Sequence, residues 1–444
     1  MKVASFESLE FLLSKSRKQY YVIGLQGSHS QEFTKANYDP DKIIAPVIRG
    51  KKSGAQQIEF AFTADEEKLI ENTNLEELIK AKEVDAFMPD TYTSDFLEKW
   101  GKKNGVKMIS TANKLQKKYE DKIFFNKFLK KYNLPVPKSL VLKSDENLSK
   151  IDVFPVIVQI PNSKGSAGTF LMHNKNEIIQ LFSANKAAKY PLLCRQFIDN
   201  GIALGVSVLI GPKNMIFSAI RMQAYFLQNN GKSNYYGIQW IKTSSFSHTV
   251  IDKLNKILTK AGKEMQKAGF RGIASFDLML RDEDIYFIEC NPRTGGSTPQ
   301  MSYQTELLHG LNLTDEFIRC TTGRELSDDK PFIPESDYEG FTLDLGFMSD
   351  YLPKGLPLNC LKSGIYKYQN NSLDYISASI DDFNQKSSAL IYYVRPEGDA
   401  LNPCNFIGFM IIHFPLLKID KNSYSFSGDA KEFIKYMENL IIKK

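Results

Sequence analysis

Three side chains with metal- and phosphate-binding chemistry stand on alternate positions of FIECNPRTGGST, Phe287 to Thr298: Glu289, Asn291 and Arg293. Successive side chains of a strand point to opposite faces, so alternate residues share one. That face would carry a carboxylate, an amide oxygen and a planar cation. A strand that only packs a core needs none of them. Gly295, Gly296 and Ser297 follow, and such a loop lets backbone N–H groups approach an anion closely.

Asp277 lies on the preceding apolar run. An odd-numbered loop between the two strands would set Asp277 opposite Glu289, with Asn291 two residues further on. Three oxygen ligands with open positions for phosphate oxygens and water suit Mg²⁺. A register shifted by one residue would destroy the arrangement, leaving two unrelated surface acids and a turn asparagine. Arg293, past Pro292, could grip phosphate or carboxylate oxygens bidentately. A second polar constellation is PNSKGSAGTF, Pro161 to Phe170. Here Lys164 sits at the tip of a loop containing Ser163, Gly165, Ser166 and Gly168. It can fold over a triphosphate or be a plain surface hairpin. It is not a Walker loop, because GxxxxGK[ST] occurs nowhere in the chain.

The elements that must hold these residues belong to a chain of 444 residues with 42% hydrophobic and 24% charged residues. That length implies two to four domains. A net charge of +6 is mild, and the Lys pairs at 102–103, 117–118 and 130–131 read as solvated helix faces. No basic-aromatic module marks a nucleic-acid platform. Five cysteines, odd in number, widely spaced and without CxxC, argue against a disulfide framework or structural zinc and for a reducing compartment. Cys290, between Glu289 and Asn291, should face the core. The N-terminal residues show no signal-peptide pattern, and no run approaches the roughly 18 apolar residues of a membrane span. A cytoplasmic location and no membrane partner are expected.

Tyr20–Gly24, Val84–Met88 and Val106–Ser110 read as short buried strands, with a helix over Ser94–Lys102 between the last two. Alternation of this kind predicts a parallel sheet with helices on both faces. Asp121–Tyr132 is amphipathic at helical spacing and stops at Leu134-Pro135-Val136-Pro137. From Val153 the pattern changes to strand, glycine-bearing loop and strand. Further strands are expected at Leu192–Ile198, Ala203–Ile210, Met215–Arg221, Ser275–Leu280 and Ile285–Glu289, with a long helix over His248–Ala268. Beyond residue 330 there are short β-like runs. The last helix shows capping-box spacing at Asp429 and Glu432, with an apolar face at Phe433, Tyr436, Met437, Leu440 and Ile441.

The order of these parts resembles the ATP-grasp superfamily over roughly residues 110–310. The carriers of the likeness are DKIFFNKFL with LPVP, FPVIVQIPNSKGSAGTF, LLCRQFIDN before GVSVLI, and FDLML with YFIECNPRTGGS. The resemblance implies an α/β and α+β chain in three parts. These are a Rossmann-like pre-ATP-grasp domain over 1–118, an ATP-grasp domain over 119–328 and a C-terminal β-rich accessory domain over 329–444. Within the second part it implies a lid subdomain at about 140–192 and a metal-binding subdomain at about 193–328. It further implies that Asp277, Glu289 and Asn291 hold one or two Mg²⁺ ions (or Mn²⁺), and that Arg293 stabilises the transferring phosphoryl group. Lys122 contacts the ATP phosphates, Gln196, Phe197 and Ile198 form a hinge against adenine, and Ser163 to Gly168 form the phosphate lid. Arg221, read as the end of its strand, becomes an anion clamp for the second substrate.

Two positions depart from the family's pattern. Gln159 stands where a phosphate-binding lysine is usual, with Lys164 the nearest candidate to compensate. Ala203 stands where an acid usually meets the ribose, unless Asp199 serves. The implied reaction joins a small carboxylate, such as an amino acid or peptide, to an amine through an acyl phosphate, with ATP giving ADP and phosphate. The alternatives are a nucleotide-binding pseudoenzyme and a biotin-carboxylase-like carboxylation with bicarbonate. The aromatic stretch AYFLQNNGKSNYYGIQW, 224–240, either walls a substrate pocket or is ordinary sheet packing. The last 110 or so residues fit either a substrate wall or the interface of a homodimer.

Overall fold

The structure is a computed structural model. It describes residues 83–89, 93–163, 168–185, 188–227 and 233–347, most of 352–392 and 407–442, and the backbone of three strands nearer the N-terminus. Those three strands, Lys2–Phe6, Gln19–Gln26 and Ile43–Ile48, join Ala86–Met88 and Lys107–Met108 in a five-stranded, wholly parallel sheet. The expected strands are therefore present and parallel. Helices on both faces would fall largely on 7–18, 27–42 and 49–79, outside the described residues. The helix Asp95–Asn104 does form. Ser94 Oγ accepts the Leu97 N–H at 3.1 Å at its start, and Gly105 ends it at φ 68°, a conformation that only glycine adopts without strain.

Residues 139–196 build a second, four-stranded antiparallel sheet in the order Ser139–Leu142, Leu192–Gln196, Val156–Gln159, Thr169–Met172. The hairpin read around the glycine-bearing loop has Val156 opposite Met172 and Gln159 opposite Thr169. One face carries Leu142, Val156, Val158, Met172, Leu192 and Cys194 and is buried with the helix Lys175–Ala184. The other carries Gln159, Thr169 and Arg195.

The third sheet is antiparallel and continuous. Its order is Asp284–Asn291, Gly272–Arg281, Ile202–Ile210, Arg221–Leu227, Ser233–Trp240, Gly340–Asp344, Phe409–Ile412, Ala389–Tyr392, Gly364–Gln369, Ser372–Ser377. The strands beyond residue 330 thus extend the sheet that contains Asp277. Leu204, Val206, Phe276, Leu278, Phe287 and Phe341 point to one face. They are buried with the helices Lys122–Lys131 and His248–Lys267. On the opposite face Leu209, Ile273 and Trp240 are covered by Met301, Leu313 and Phe317 from the helices Thr298–His309 and Leu313–Thr321. The polar end of that second face carries the site residues.

Two local expectations are corrected. Met215–Phe217 is a strand of its own, and Arg221 begins the next one. The break comes where Ser218 Oγ accepts the Ser207 N–H, taking a ladder position from the backbone. The last helix, Gly428–Ile441, is capped by Ser427, whose Oγ accepts the Ala430 N–H, and not by Asp429. Its apolar face is as read, with Phe433, Met437 and Ile441 buried. In the stretch 224–240, Phe226 stacks on Phe426 at 4.3 Å and Tyr236 on Phe347 at 5.2 Å, so those two rings are packing.

Phe125 links the helix that bears Lys122 to the strands that bear Asp277 and Glu289. Its fully buried ring lies 6.1 Å from Phe276 and 6.2 Å from Phe287. Phe125→Ala should leave a cavity that this rigid neighbourhood cannot close and destabilise the protein by about 3–5 kcal/mol. A lower urea midpoint at unchanged slope would show it.

Candidate active site

A β-bulge makes the site. Arg281 pairs with Asp284 across a two-residue turn, Asp282-Glu283, and Leu278 still pairs with Phe287. Regular pairing would then place Asp277 opposite Ile288 and Glu289 opposite core-facing Phe276. The ladder instead shifts by one residue between Asp277 and Leu278, so Asp277 faces Glu289 and Ser275 faces Asn291. The odd residue expected in the loop is in fact Ile288, within the strand. Phe287 and Cys290 remain in the core, and the two successive residues between them, Ile288 and Glu289, are only half-buried.

The row continues across the sheet. Gly205 pairs with Asp277 on one side and Arg221 on the other. Glu289, Asp277, Gly205 and Arg221 therefore stand side by side on four adjacent strands and one face. A Cβ at position 205 would lie 2.9 Å from Arg221 Nε and 3.0 Å from its Cζ. Glycine is what lets the guanidinium lie across the strand. Arg221 is 3% exposed, and its Nη1 donates to Ser207 Oγ at 3.0 Å. Ser207 and Ser275 share a hydroxyl contact of 2.7 Å. Arg221 Nε has no hydrogen-bond partner among the described residues.

Charge is arranged unequally along this row. Burial, then the Glu289 charge, push the Asp277 carboxyl up to about 7, while Arg221 and a hydrogen bond from Gln223 pull the other way. Burial would raise Glu289 too, but Lys122, a hydrogen bond with Asp277 and the Arg195 charge together outweigh it and hold that carboxyl below its ordinary range. The pair thus carries one negative charge readily and a second only with more positive charge beside it. Asn291 Nδ2 donates to Asp277 Oδ2 at 2.9 Å, and Arg293 Nη2 donates to Asn291 Oδ1 at 3.4 Å. A half-turn of that amide would present its oxygen to the carboxylates. Among the described residues no three of His, Cys, Asp and Glu gather as a metal site. Two facing carboxylates, with an amide oxygen after that half-turn, nonetheless fit a hard divalent cation that takes its other oxygens from ligand and water.

Two further cations close the site. Asp121 caps the helix Lys122–Lys131 by accepting the Phe124 N–H at 2.7 Å, which puts Lys122 in the first turn. A cation there opposes the helix dipole, and Lys122 is also only 5% exposed. It is held by Glu289 Oε2 at 3.3 Å and by the Ser163 carbonyl, which accepts at 2.7 Å. Local preference is violated where three elements meet, as is common at functional sites. Arg293 Nε reaches Glu120 Oε1 at 3.4 Å.

The remaining predicted residues fall around this centre. Gln159 is buried. Its Nε2 donates to Thr169 Oγ1 at 3.3 Å, and its Oε1 has no partner among the described residues. Lys164, Gly165 and Ser166 lie outside the described residues. The flanks of their loop meet tightly, since a Cβ on Gly168 would fall 2.3 Å from Ser163 Oγ. Gln196 is exposed and its N–H already donates to Lys138 O, as that of Phe197 does to Pro155 O. Ile198, which follows them, is half-buried. Ala203 pairs with Met279, and Asp199, in the turn before it, accepts from Asn200 N–H.

The sequence reading missed Arg195. It lies on Leu192–Gln196, is 2% exposed, and its Nη1 donates to the Ile288 carbonyl, the group that the bulge leaves out of the ladder. Its Nε and Nη2 have no partners among the described residues. Burial pulls its pKa down to about 10 against the opposing pull of Glu289. Each buried donor left unmade costs about 1–3 kcal/mol. The available signal was a lone cation inside LLCRQ, a strand whose alternate residues are core. Gly205 and the Ser207–Ser275 pair left no such signal.

A family model described as the ATP-grasp domain matches residues 119–297. Those residues are an ATP-grasp domain. The chain is 22% identical over 272 residues to the C-terminal section of the carbamoyl phosphate synthase large chain of Aquifex aeolicus. That match covers 60% of this chain and 48% of the relative. The arginine-specific large chain of Geobacillus stearothermophilus is 23% identical over 227 residues, covering 50% of this chain and 21% of its own length. The chain thus spans about half the first relative and about a fifth of the second. Among solved structures, the Hydrogenobacter thermophilus 2-oxoglutarate carboxylase biotin carboxylase domain, in complex with MgADP, ADP and bicarbonate, superposes with a TM-score of 0.66. The identity is 15%, with 99% of this chain and 94% of that one covered. Biotin carboxylase from Campylobacter jejuni gives 0.64 at 15% identity, covering 98% and 95%. These likenesses are of fold alone, an ATP-grasp fold of mixed α/β content with antiparallel sheets. Among the described residues no helix is long and apolar enough to cross a membrane.

Gly205→Ala isolates the contribution of the row's geometry. The added methyl meets the buried Arg221 side chain rather than backbone, so the chain should still fold, with a melting temperature lower by roughly a few degrees. Displacing the Arg221 guanidinium by about 1 Å should lower any turnover that depends on it by up to about 100-fold. Steady-state rates beside a thermal melt would separate the two effects.

Proposed function

We propose that the chain is an ATP-dependent ligase that phosphorylates a small carboxylate and passes the acyl group to an amine, with Mg²⁺ between nucleotide and protein. The observation that carries this reading is the row Glu289, Asp277, Gly205, Arg221, two carboxylates and a guanidinium on one face, with Lys122 at one end. The ATP-grasp domain over 119–297 supports it. The proposed division is a pre-ATP-grasp domain over 1–118, the ATP-grasp domain over 119–328 and a C-terminal part over 329–444. The last of these adds strands to the site's own sheet.

In this reading a carboxylate oxygen of the substrate attacks the γ-phosphorus of ATP, the bond to the β-phosphate oxygen breaks, and ADP leaves. The amine then attacks the acyl carbon, and phosphate departs with the electrons of the acyl–oxygen bond. Asp277, Glu289 and the Asn291 amide oxygen would hold the cation, which when bound offsets phosphate charge. Lys122 fixes the Glu289 carboxylate and ties it to the Ser163 end of the phosphate loop. Arg221, with an unspent Nε–H, anchors the acid substrate, and Arg293 balances charge on the moving phosphoryl group. Ser207 holds the Arg221 guanidinium flat by accepting from Nη1.

A second reading is carboxylation, in which bicarbonate is the acid. It is favoured by the superposition on biotin carboxylase domains, one of which is in complex with bicarbonate. ADP and phosphate release from Mg·ATP, measured with pools of carboxylic acids, amines and bicarbonate, decides between them. The ligase reading expects release that needs both an acid and an amine. Release with bicarbonate alone would establish the second reading. Glu289→Ala should lower either release at least about 100-fold, since a metal ligand and the Lys122 partner go together. Equal rates in this variant would remove the row from the mechanism.

A further inference from the structure

We propose that Arg195 supplies the cationic contact to the nucleotide's phosphates that position 159 does not provide. The inference rests on the nucleotide-site reading above and adds a binding residue to it. Three observations carry it. Strand pairing sets Ile157 opposite Arg195 and Gln159 opposite Leu193. Gln159 and Arg195 are therefore diagonal neighbours on adjacent strands and one face, within reach of a common ligand for a side chain as long as arginine. That face is the one turned away from the lid sheet's own core of Val156, Val158, Met172 and Cys194.

The second observation is where the guanidinium ends. It leaves the lid sheet and donates to the Ile288 carbonyl, beside Glu289, so it spans the gap between the two sheets at the bulge. A ligand held by Glu289 and reaching the four-stranded sheet would meet this group. The third is the state of its donors. Nε and Nη2 are buried and unpartnered among the described residues, as is Gln159 Oε1. A guanidinium that served only to cap one carbonyl would leave two donor nitrogens, Nε and Nη2, buried without a use. Phosphate oxygens accept from such a fork at two points. Gln159 is left as a neutral neighbour that donates from Nε2 to Thr169 Oγ1, its Oε1 accepting from no described residue.

The test is isothermal titration with adenosine, ADP and Mg·ATP on the full chain and on Arg195→Met, Arg195→Lys and the double variant Gln159→Lys/Arg195→Met. Arg195→Met should weaken ADP and Mg·ATP binding roughly 10- to 100-fold and leave adenosine binding within about twofold. Arg195→Lys should retain part of the loss, and the double variant should recover most of it by moving the charge to the neighbouring strand. These last two also carry the test if Arg195→Met unfolds, because both keep a cation on this face. Equal loss for adenosine and ADP would place Arg195 on the base or in the scaffold and overturn the proposal, as would no loss at all. Failure of Gln159→Lys to restore phosphate-dependent affinity would do the same. If the unaltered chain binds neither ADP nor Mg·ATP, the nucleotide-site reading itself falls, an outcome distinct from loss in the variant alone.

Discussion

The one-residue bulge at Ile288 is the constraint on which the site depends. A strand pair with period-two alternation assigns every residue to a face, and Asp277 and Glu289 would be assigned to different ones by the turn that joins them. Shifting the ladder by one residue brings the two carboxylates together without disturbing Phe276, Phe287 or Cys290 in the core. The cost is a carbonyl outside the ladder. Arg195 caps that carbonyl from the other sheet, so the device that forms the acidic pair also ties the four-stranded sheet to it.

Opposed electrostatic demands follow from that geometry. Two carboxylates brought face to face in a buried setting repel, and the sheet answers with cations on both flanks: Lys122 beside Glu289 and Arg221 across Gly205 from Asp277. None of these charges is placed where its own element would favour it. Lys122 sits at the wrong end of a helix dipole, Arg221 begins a buried strand, and Arg195 lies within an apolar one. The surrounding packing holds them there, chiefly the aromatic cluster of Phe125, Phe276 and Phe287 behind the hairpin and the helices that cover both faces of the sheet. The charged groups are preorganised by a scaffold that gains most of its stability elsewhere, as electrostatic catalysis requires.

Much of this was legible in the chain itself. Periodicity and caps locate the helices at 95–104, 122–131 and 248–267 to within a residue or two, since the apolar spacing and the Ser or Asp cap are local signals. The glycine-bearing hairpin at 156–172 and the alternate residues Glu289 and Asn291 are legible for the same reason. The boundary at Arg221 was not, because the break at Ser218 depends on a hydrogen bond to a residue eleven positions earlier. The cap of the last helix was misread because Asp and Ser are both good cap residues, and Ser427 is fixed in that place by a long-range contact, its N–H donating to the Leu416 carbonyl.

By itself the sequence determined which groups are available: two acids, an amide and several cations on strands whose apolar residues commit one face to the core. Those choices are local, since side-chain type and alternation need no partner. Only the tertiary structure decided which of them meet. The bulge puts Glu289 on Asp277's face, Gly205 gives Arg221 room to lie across the sheet, and the docking of two sheets carries Arg195 to a carbonyl 93 residues away in sequence. Register, close approach and long-range contact are properties of paired strands. No single strand contains them.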